Sequence, residues 1–318
     1  MSGLLLFVLS FCARGCACAC TGGGGATREA IAGDNTVVVR SSAPFPGALV
    51  RVRGGLSQVG TDEAVYEADG EGPAVWTVLE DFDMAETEMT VGQWRVFAEA
   101  TGHVSEAETF GWSFVFEQLV PPGAVGADAV VSHTPWWVRV PGASWREPFG
   151  PAGAEARDDE PVVHVSWSDA SACCAFFGMR LPSEAEWERA ARGERPASDA
   201  FPWGSQFQPN KGEFLANVFT GSFPARNTAA DGFVGVAPVR SFPAQNGLFE
   251  MIGNVWEWTS DGFSSLNRTD ASSPTKIQKG GSYMCHRSYC FRYRISARSS
   301  STPDSSLGHL GFRCVKSA

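Results

Sequence analysis

Three segments of the chain carry apolar residues at helical spacing behind a residue that can cap a helix. Thr90 with Gln93 and Ser183 with Glu186 match the capping box, and Ser166 can cap the segment between them. Apolar positions three and four residues apart follow each cap, as expected where one side of a helix packs on a core. The pattern predicts three short amphipathic helices. Glycines end them, at Gly102, Gly178 and Gly193.

The second of these helices carries two adjacent cysteines in different orientations. Trp167, Ala170, Cys174 and Phe177 recur at helical spacing, so Cys174 is predicted to face the core. Cys173 points about 100° away, the angular step between neighbouring residues of a helix.

Alternating apolar and polar residues mark the start of the folded domain. The sequence LVRVRGGLSQVG alternates around Gly54 and Gly55 and predicts an opening pair of strands. Beyond residue 194 the chain is rich in Gly, Pro, Asn and Asp, which predicts long loops. Such loops must satisfy their backbone polar groups with side chains, water or bound ions, so metal support is expected.

The N-terminus has the pattern of a secretory signal. The apolar run at residues 4–11 is too short to span a bilayer, and small residues follow it. We predict a signal peptide at 1–19, a flexible lead-in at 20–46 and one folded domain at 47–316. No other segment is apolar over the ~18 residues that a spanning helix needs. After cleavage we expect a protein without a membrane span, in the endoplasmic reticulum lumen or secreted.

Composition excludes one class of partner. With 43% hydrophobic residues the chain can bury a large core, and its formal charge of -10 argues against binding to a phosphate backbone. Nucleic acid is therefore not an expected partner.

Chemistry concentrates in the segment GGSYMCHRSYCFRYR. Cys285 and Cys290 can converge on one soft ion such as Cu(I) if the four residues between them form a turn. An ordinary disulfide is the other interpretation, and spacing alone favours it in a secreted protein. Nine cysteines at uneven spacing do not reveal the connectivity.

A series of motifs resembles one family. The blocks HVSWSDASACCAFFGMRLPSEAEWERAARGE, FPWG, DGFVGVAPV, GNVWEWTSD, GGSYMCHRSYC, TPDSS and LGFRC occur in the order found in the formylglycine-generating enzyme (sulfatase-modifying factor) family. The resemblance spans residues 47–316. It implies a single loop-rich α/β domain with little regular secondary structure, related to the C-type lectin fold.

The resemblance also implies a reaction. A cysteine in the Cys-x-Pro-x-Arg motif of an unfolded sulfatase would be oxidised to Cα-formylglycine by dioxygen, with a thiol reductant. Cys285 and Cys290 would hold Cu(I), and the substrate cysteine would add a third sulfur. Ser282 and Trp256 match residues beside the oxygen site, although Ser282 is also a plausible turn residue and Trp256 a core residue.

Further positions follow from the same resemblance. Cys174 and Cys314 match a disulfide, whereas a second bridge is missing because its positions hold Ala191 and Ile295. Two calcium sites are implied, with Glu88 as a further carboxylate. The matching residues are Asn217, Val218, Asp231 and Phe233 for the first site, and Glu250, Gly253, Val255 and Glu257 for the second. Without the resemblance, an exposed salt bridge or a turn cap would be the preferred interpretation of each acid.

Three residues near the cysteine pair are candidates for substrate contacts. Arg287 and Arg294 can bind the polypeptide or lie in ion pairs on the surface. His309 stands where the family usually has asparagine and could alter the edge of the groove. Its default interpretation is a surface histidine.

A monomer is expected. Retention in the reticulum would need a lumenal thiol-oxidoreductase partner, for which Cys16, Cys18 and Cys20 are the candidate attachment points. Asn267 begins a glycosylation sequon.

Other functions remain open at this point. The same fold supports a lectin-like binding module or an inactive sulfatase-binding paralogue, and the inactive group lacks the cysteine pair. A dithiol oxidoreductase that cycles Cys285 and Cys290 is a third possibility. The absence of HxxxH spacing counts against an iron-dependent sulfoxide synthase.

Overall fold

The computed structural model describes residues 43–125, 130–131, 134–264 and 272–318. The predicted signal peptide, most of the lead-in, Cys16, Cys18, Cys20 and Asn267 lie outside these residues. Within the described ranges the helices are α1 Val91–Thr101, α2 Glu106–Phe110, α3 Trp167–Phe176 and α4 Glu184–Arg192. Each begins at a capping box, because a serine or threonine oxygen accepts the N3 backbone N–H.

Three of these helices confirm the sequence pattern. Helix α2 was missed because a helix of five residues is too short to show a clear apolar period, although Ser105 and Glu108 carry the capping signal. Helix α3 ends at Phe176 rather than at Gly178. Its two cysteines are both buried, so the side of the helix toward which Cys173 points is also packed.

Short strands separated by long loops connect the helices and supply the regular structure of the second half of the domain. They are β1 Leu49–Val52, β2 Gly55–Val59, β3 Val75–Leu79, β4 Phe82–Ala85, β5 Trp112–Phe116, β6 Trp137–Pro141, β7 Gly221–Ser222, β8 Arg226–Asn227, β9 Trp256–Gly262, β10 Lys276–Lys279, β11 Ser299–Ser301, β12 Leu310–Gly311 and β13 Val315–Ser317. The loop-rich α/β architecture predicted from the sequence is confirmed.

The strands pair into small sheets. The larger ones have the orders β1-β4-β13 and β11-β10-β9-β12, in which β12 and β9 run parallel. The two-stranded sheets are β2-β3, β5-β6 and β7-β8. The predicted opening strand pair is wrong: β1 and β2 are both strands, but β1 pairs with β4 and β2 with β3. Alternation identifies strands, whereas their partners depend on distant parts of the chain.

The apolar core lies between α1, α3, α4 and the larger sheets. Cys174 of α3 is joined to Cys314 by a disulfide, as the resemblance implies. Phe45 packs edge-on against Phe177, with ring centroids 5.6 Å apart. The packed domain therefore begins before the predicted boundary at 47.

A buried ionic cluster ties α4 to the strand that leads into the cysteine segment. The Nζ atom of Lys279, at the end of β10, lies 2.8 Å from a carboxylate oxygen of Glu188 and 3.3 Å from one of Glu184. All three side chains are buried, so each charge requires its partners. The cluster fixes the end of β10 against α4. Within the described residues, no helix is long and apolar enough to cross a membrane.

Candidate active site

The cysteine segment leaves β10 through two glycines that let it pass close to a neighbouring segment. Gly280 and Gly281 have φ angles of 92° and 78°. A Cβ atom on Gly281 would lie 2.8 Å from the Cα atom of Tyr293, which is closer than such contacts allow. Glycine is therefore required where residues 282–293 fold back.

Two successive turns bring the cysteine thiols together. The Cys285 N–H donates to the Ser282 carbonyl at 2.8 Å, and the Cys290 N–H donates to the His286 carbonyl at 2.7 Å. The Sγ atoms of Cys285 and Cys290 then lie 3.0 Å apart in buried positions. This separation exceeds the ~2.05 Å of a disulfide bond. The HRSY segment is a turn, and the pair consists of two free thiols.

The two thiols differ in acidity. A hydrogen bond from Cys285, and then the charge and N–H groups of Arg292, lower the pKa of Cys290 to about 7 despite its burial. Burial, followed by the hydrogen bond and charge of Cys290, raises the pKa of Cys285 well above its usual value. Near neutral pH about half of Cys290 is therefore thiolate, with Cys285 as its hydrogen-bond donor.

Acidic residues hold the neighbouring arginines in place. Arg292 donates from Nε to Asp69 at 2.6 Å and lies over the ring of Tyr66. Arg294 is buried and pairs through both terminal nitrogens with Glu71. The prediction that Arg294 binds substrate is therefore wrong, because its donors are used inside the protein. Arg287 is exposed and stacks over Phe291 on the other side of the turn.

Ser282, Trp256 and His309 all line the cavity that reaches the cysteines. The Ser282 Oγ atom lies 3.1 Å from His309 Nδ1 and 4.0 Å from Cys285 Sγ. The backbone N–H of Trp256 donates to the backbone carbonyl of His309 at 2.8 Å. Burial, and then the charge of His164, lower the pKa of His309 to about 3, so its imidazole is neutral. His309 is half-buried, and its ring faces the cavity rather than the outer surface.

Aromatic residues that the sequence analysis missed form the outer wall of this cavity of about 230 Å³. Tyr289 stacks on Phe223 with ring centroids 4.3 Å apart and meets Trp136 edge-on at 4.8 Å. Trp137 meets the His309 ring edge-on at 4.7 Å. Trp136 and Trp137 are adjacent in a segment without helical spacing, and this was the sequence signal that could have revealed the wall.

The donor chemistry of the cysteine pair fits a soft monovalent ion. Two adjacent sulfurs, one of them a thiolate, open onto the cavity, and Cu(I) prefers sulfur ligands. In the part of the chain that the structure describes, no group of three His, Cys, Asp or Glu side chains forms a metal cluster. The protein thus presents two sulfur donors at this site.

The first set of predicted calcium ligands contains an oxygen without a partner. The Oδ1 atom of buried Asn217 has no hydrogen-bond donor among the described residues. The carboxylate of Asp231 accepts the N–H groups of Val218 and Phe233, at 2.8 and 3.2 Å. These contacts join Asp231 to Val218 and Phe233, and Asn217 is the neighbour of Val218 in the chain. An orphaned buried amide oxygen in the residue next to a carboxylate-bound one fits a hard cation.

The second set gives no such support. Glu257 accepts hydrogen bonds from Arg313 and Trp187, and Glu250 accepts the N–H groups of Arg240 and Phe242. Glu88 accepts from the Asn254 side chain at 2.8 Å and from the N–H of Val255 at 3.3 Å. Every carboxylate oxygen of this set accepts a hydrogen bond, so the set holds no orphaned oxygen like that of Asn217. Gly253 packs against Asn217, where a Cβ atom would lie 2.3 Å from the Asn217 carbonyl oxygen.

Comparisons with known proteins agree with this architecture. The family model of the sulfatase-modifying factor enzyme 1-like domain matches residues 36–318. The chain is 45% identical over 289 residues to the formylglycine-generating enzyme of Mus musculus, covering 86% of this chain and 77% of that protein. It is 42% identical over 276 residues to the inactive C-alpha-formylglycine-generating enzyme 2 of Mus musculus, covering 85% and 86%. The structure of PvdO from Pseudomonas aeruginosa has the same fold, with a TM-score of 0.63, 20% identity and coverage of 87% and 97%.

Fold and site define a loop-rich α/β domain with a buried dithiol at the base of a cavity. The chain belongs to the sulfatase-modifying factor enzyme family, to which the formylglycine-generating enzymes belong.

Proposed function

We propose that this chain oxidises a cysteine of an unfolded sulfatase to Cα-formylglycine. The observation that carries the proposal is the free pair Cys285 and Cys290, with Sγ atoms 3.0 Å apart at the base of an open cavity. The membership of the chain in an enzyme family is confirmed by its similarity to formylglycine-generating enzymes. The substrate motif Cys-x-Pro-x-Arg comes from the family resemblance.

The reaction balances with dioxygen and a thiol reductant. The substrate side chain loses its sulfur as hydrogen sulfide and gains an aldehyde oxygen. The second oxygen atom leaves as water, and two external thiols supply two electrons and two protons as they form a disulfide. Each turnover therefore consumes one dioxygen and two reductant thiols.

The residues of the site have distinct proposed roles. Cys290 as thiolate, and Cys285 after release of its proton, would hold Cu(I), which when bound supplies the one-electron chemistry that dioxygen needs. Ser282, fixed by His309, presents a hydroxyl 4.0 Å from the Cys285 sulfur. Trp256, Trp136 and Tyr289 enclose the cavity and limit the access of water. Arg292 maintains positive charge beside the Cys290 thiolate.

An inactive sulfatase-binding protein is the competing function. Overall similarity does not separate the two, since the identity to the inactive mouse relative is 42% and that to the mouse enzyme is 45%. The cysteine pair favours the enzyme, because a purely binding protein has no need of two adjacent free thiols. A lectin-like module is disfavoured for the same reason.

A peptide-conversion assay tests the proposal. The purified protein is incubated with a Cys-x-Pro-x-Arg peptide, Cu(I), dioxygen and a thiol reductant, and the peptide mass is measured. We expect a mass loss at cysteine that requires copper. No conversion would contradict the proposal, and copper-independent oxidation of generic dithiols would instead support a dithiol oxidoreductase.

Calcium at the first set is a second part of the proposal. Asn217 Oδ1, a carboxylate oxygen of Asp231 and the carbonyl oxygens of Val218 and Phe233 would supply hard ligands. The orphaned Oδ1 atom supports this site. Calcium at the second set stays a prediction of the resemblance.

We also propose that the protein works in the endoplasmic reticulum lumen or is secreted, and that it acts as a monomer. The Cys174–Cys314 disulfide supports an oxidising compartment. A thiol-oxidoreductase retention partner remains a prediction. Fractionation of cells that express the full chain would test the compartment. Comparing fractions with and without reduction would test whether a disulfide joins the protein to a retention partner.

A further inference from the structure

A second cavity lies on the opposite side of the turn that carries the cysteines. Cys285, Tyr289 and Cys290 line the cavity of the proposed active site, whereas His286, Arg287 and Phe291 line the second one. One turn thus separates the two openings. The second cavity has a volume of about 570 Å³, within the range of ligand sites.

Aromatic rings form the floor of this cavity. Phe207 lies 5.0 Å from Tyr293 and 5.5 Å from Phe201, measured between ring centroids. Phe201 and Tyr293 are buried, so the floor is held by the core. Six rings in all line the space: Phe201, Phe207, Phe214, Phe219, Phe291 and Tyr293. Such a surface favours a large apolar side chain.

The rim of the cavity carries positive charge. Arg287 is exposed, stacks over Phe291 at 5.5 Å and forms no ion pair within the ranges that the structure describes. An acidic group beside the apolar one would complement it. The positive rim and the aromatic floor together favour a short peptide in which an acidic residue stands next to a large apolar one.

We propose that this cavity binds a large apolar side chain of the polypeptide substrate, with an adjacent Asp or Glu paired to Arg287. The inference rests on the proposed function, because the occupant is the polypeptide whose cysteine enters the first cavity. A substrate that lies over the turn can reach both openings, so the second cavity would recognise residues outside the reacting motif.

A peptide series tests the inference. A core Cys-x-Pro-x-Arg peptide is compared with peptides that carry Phe-Asp, Ala-Asp or Phe-Lys at several spacings on either side of the cysteine. At the best spacing, Phe-Asp is expected to lower KM about tenfold relative to Ala-Asp with little change in kcat, as for one additional buried side chain. Equal KM values at every spacing would overturn the inference.

Variants locate the effect. Ser205→Trp fills the cavity from its exposed rim and is expected to remove the difference in KM between the Phe-Asp and Ala-Asp peptides. Lys211→Trp adds the same side chain at an exposed position of the same loop outside the cavity and should keep the difference. Arg287→Glu should reverse the preference from Phe-Asp to Phe-Lys, which a double-mutant cycle measures. A preference for Phe-Asp over Ala-Asp that survives Ser205→Trp, or a preference for Phe-Asp over Phe-Lys that survives Arg287→Glu, would refute the assignment.

Binding without reaction separates this inference from the proposed function. Labelled peptides with serine in place of the reacting cysteine are measured by fluorescence anisotropy on the same proteins. If no peptide is converted but the Phe-Asp preference and its loss in Ser205→Trp persist, the cavity assignment stands and the reaction fails. If conversion occurs without any preference, the reaction stands and the cavity assignment fails.

Discussion

Two cysteine pairs in this protein are both buried and chemically opposite. Cys174 and Cys314 are separated by 140 residues and form a disulfide. Cys285 and Cys290 are five residues apart, with sulfurs 3.0 Å from each other, and remain thiols. Neither separation along the chain nor burial explains the difference.

The surroundings of the two pairs do explain it. The first pair joins α3 to the segment before β13, and both of its side chains are fully buried. The second pair opens onto a cavity and has Arg292 and the Ser282 N–H as nearby donors. A thiolate needs such donors, whereas a structural disulfide needs only geometry and an oxidant. The comparison predicts that one pair serves chemistry and the other stability.

The largest expected effect is the loss of activity when the second pair is changed. Cys285→Ser and Cys290→Ser should each reduce peptide conversion at least ~10³-fold, because residues that act as one unit fail together. Mass spectrometry of the peptide measures it. Cys173→Ala, which removes a third buried thiol, is the matched control and should retain activity. Comparable losses in all three variants would mean that packing rather than chemistry was disturbed.

Loss of the first pair should affect stability instead. The double variant Cys174→Ala with Cys314→Ala is expected to lose about 2–5 kcal/mol of unfolding free energy, since the disulfide closes a long loop. Urea denaturation measures the change. Below the unfolding transition its conversion rate should remain close to that of the unmodified protein. Strong inactivation of the folded double variant would contradict the assignment of Cys174 and Cys314 to stability alone.

The acidity of Cys290 gives a smaller, pH-dependent effect. Its alkylation rate should rise with pH and reach half of its maximum near pH 7, because only the thiolate reacts. Cys285 should react at clearly higher pH. Arg292→Leu removes a charge that favours the thiolate and should raise the midpoint for Cys290, slowing alkylation at neutral pH several-fold. Arg287→Leu, on the other side of the turn, should leave the midpoint unchanged.

The smallest expected effect concerns calcium. The N–H of Phe219 donates to the Cys285 carbonyl at 3.0 Å, so the segment that carries Asn217 also supports the second cysteine pair. Chelation should lower the melting temperature of the unmodified protein by a few degrees and slightly change the alkylation rate of Cys290. Asn217→Ala should remove the response to chelator. A melting temperature that does not respond to calcium or chelator would contradict the site.

Much of the local structure followed from the sequence because its signals are local. Capping residues and apolar spacing identified α1, α3 and α4, and Cys174 was correctly placed toward the core. Strand partners did not follow, since β1 and β2 resemble a hairpin but pair with other strands. The resemblance supplied the site residues that composition and spacing alone left ambiguous.

The sequence by itself determined where α1, α3 and α4 begin, which segment holds the reactive thiols and to which family the chain belongs. Only the tertiary structure decided that the HRSY turn places the two sulfurs 3.0 Å apart. It also decided that Arg294 forms a buried ion pair with Glu71 and that His309 contacts Ser282. The reason is physical. Helix caps and turns depend on neighbours along the chain, whereas the protonation and partners of a side chain depend on groups that folding brings from more than 200 residues away, as Asp69 is brought to Arg292.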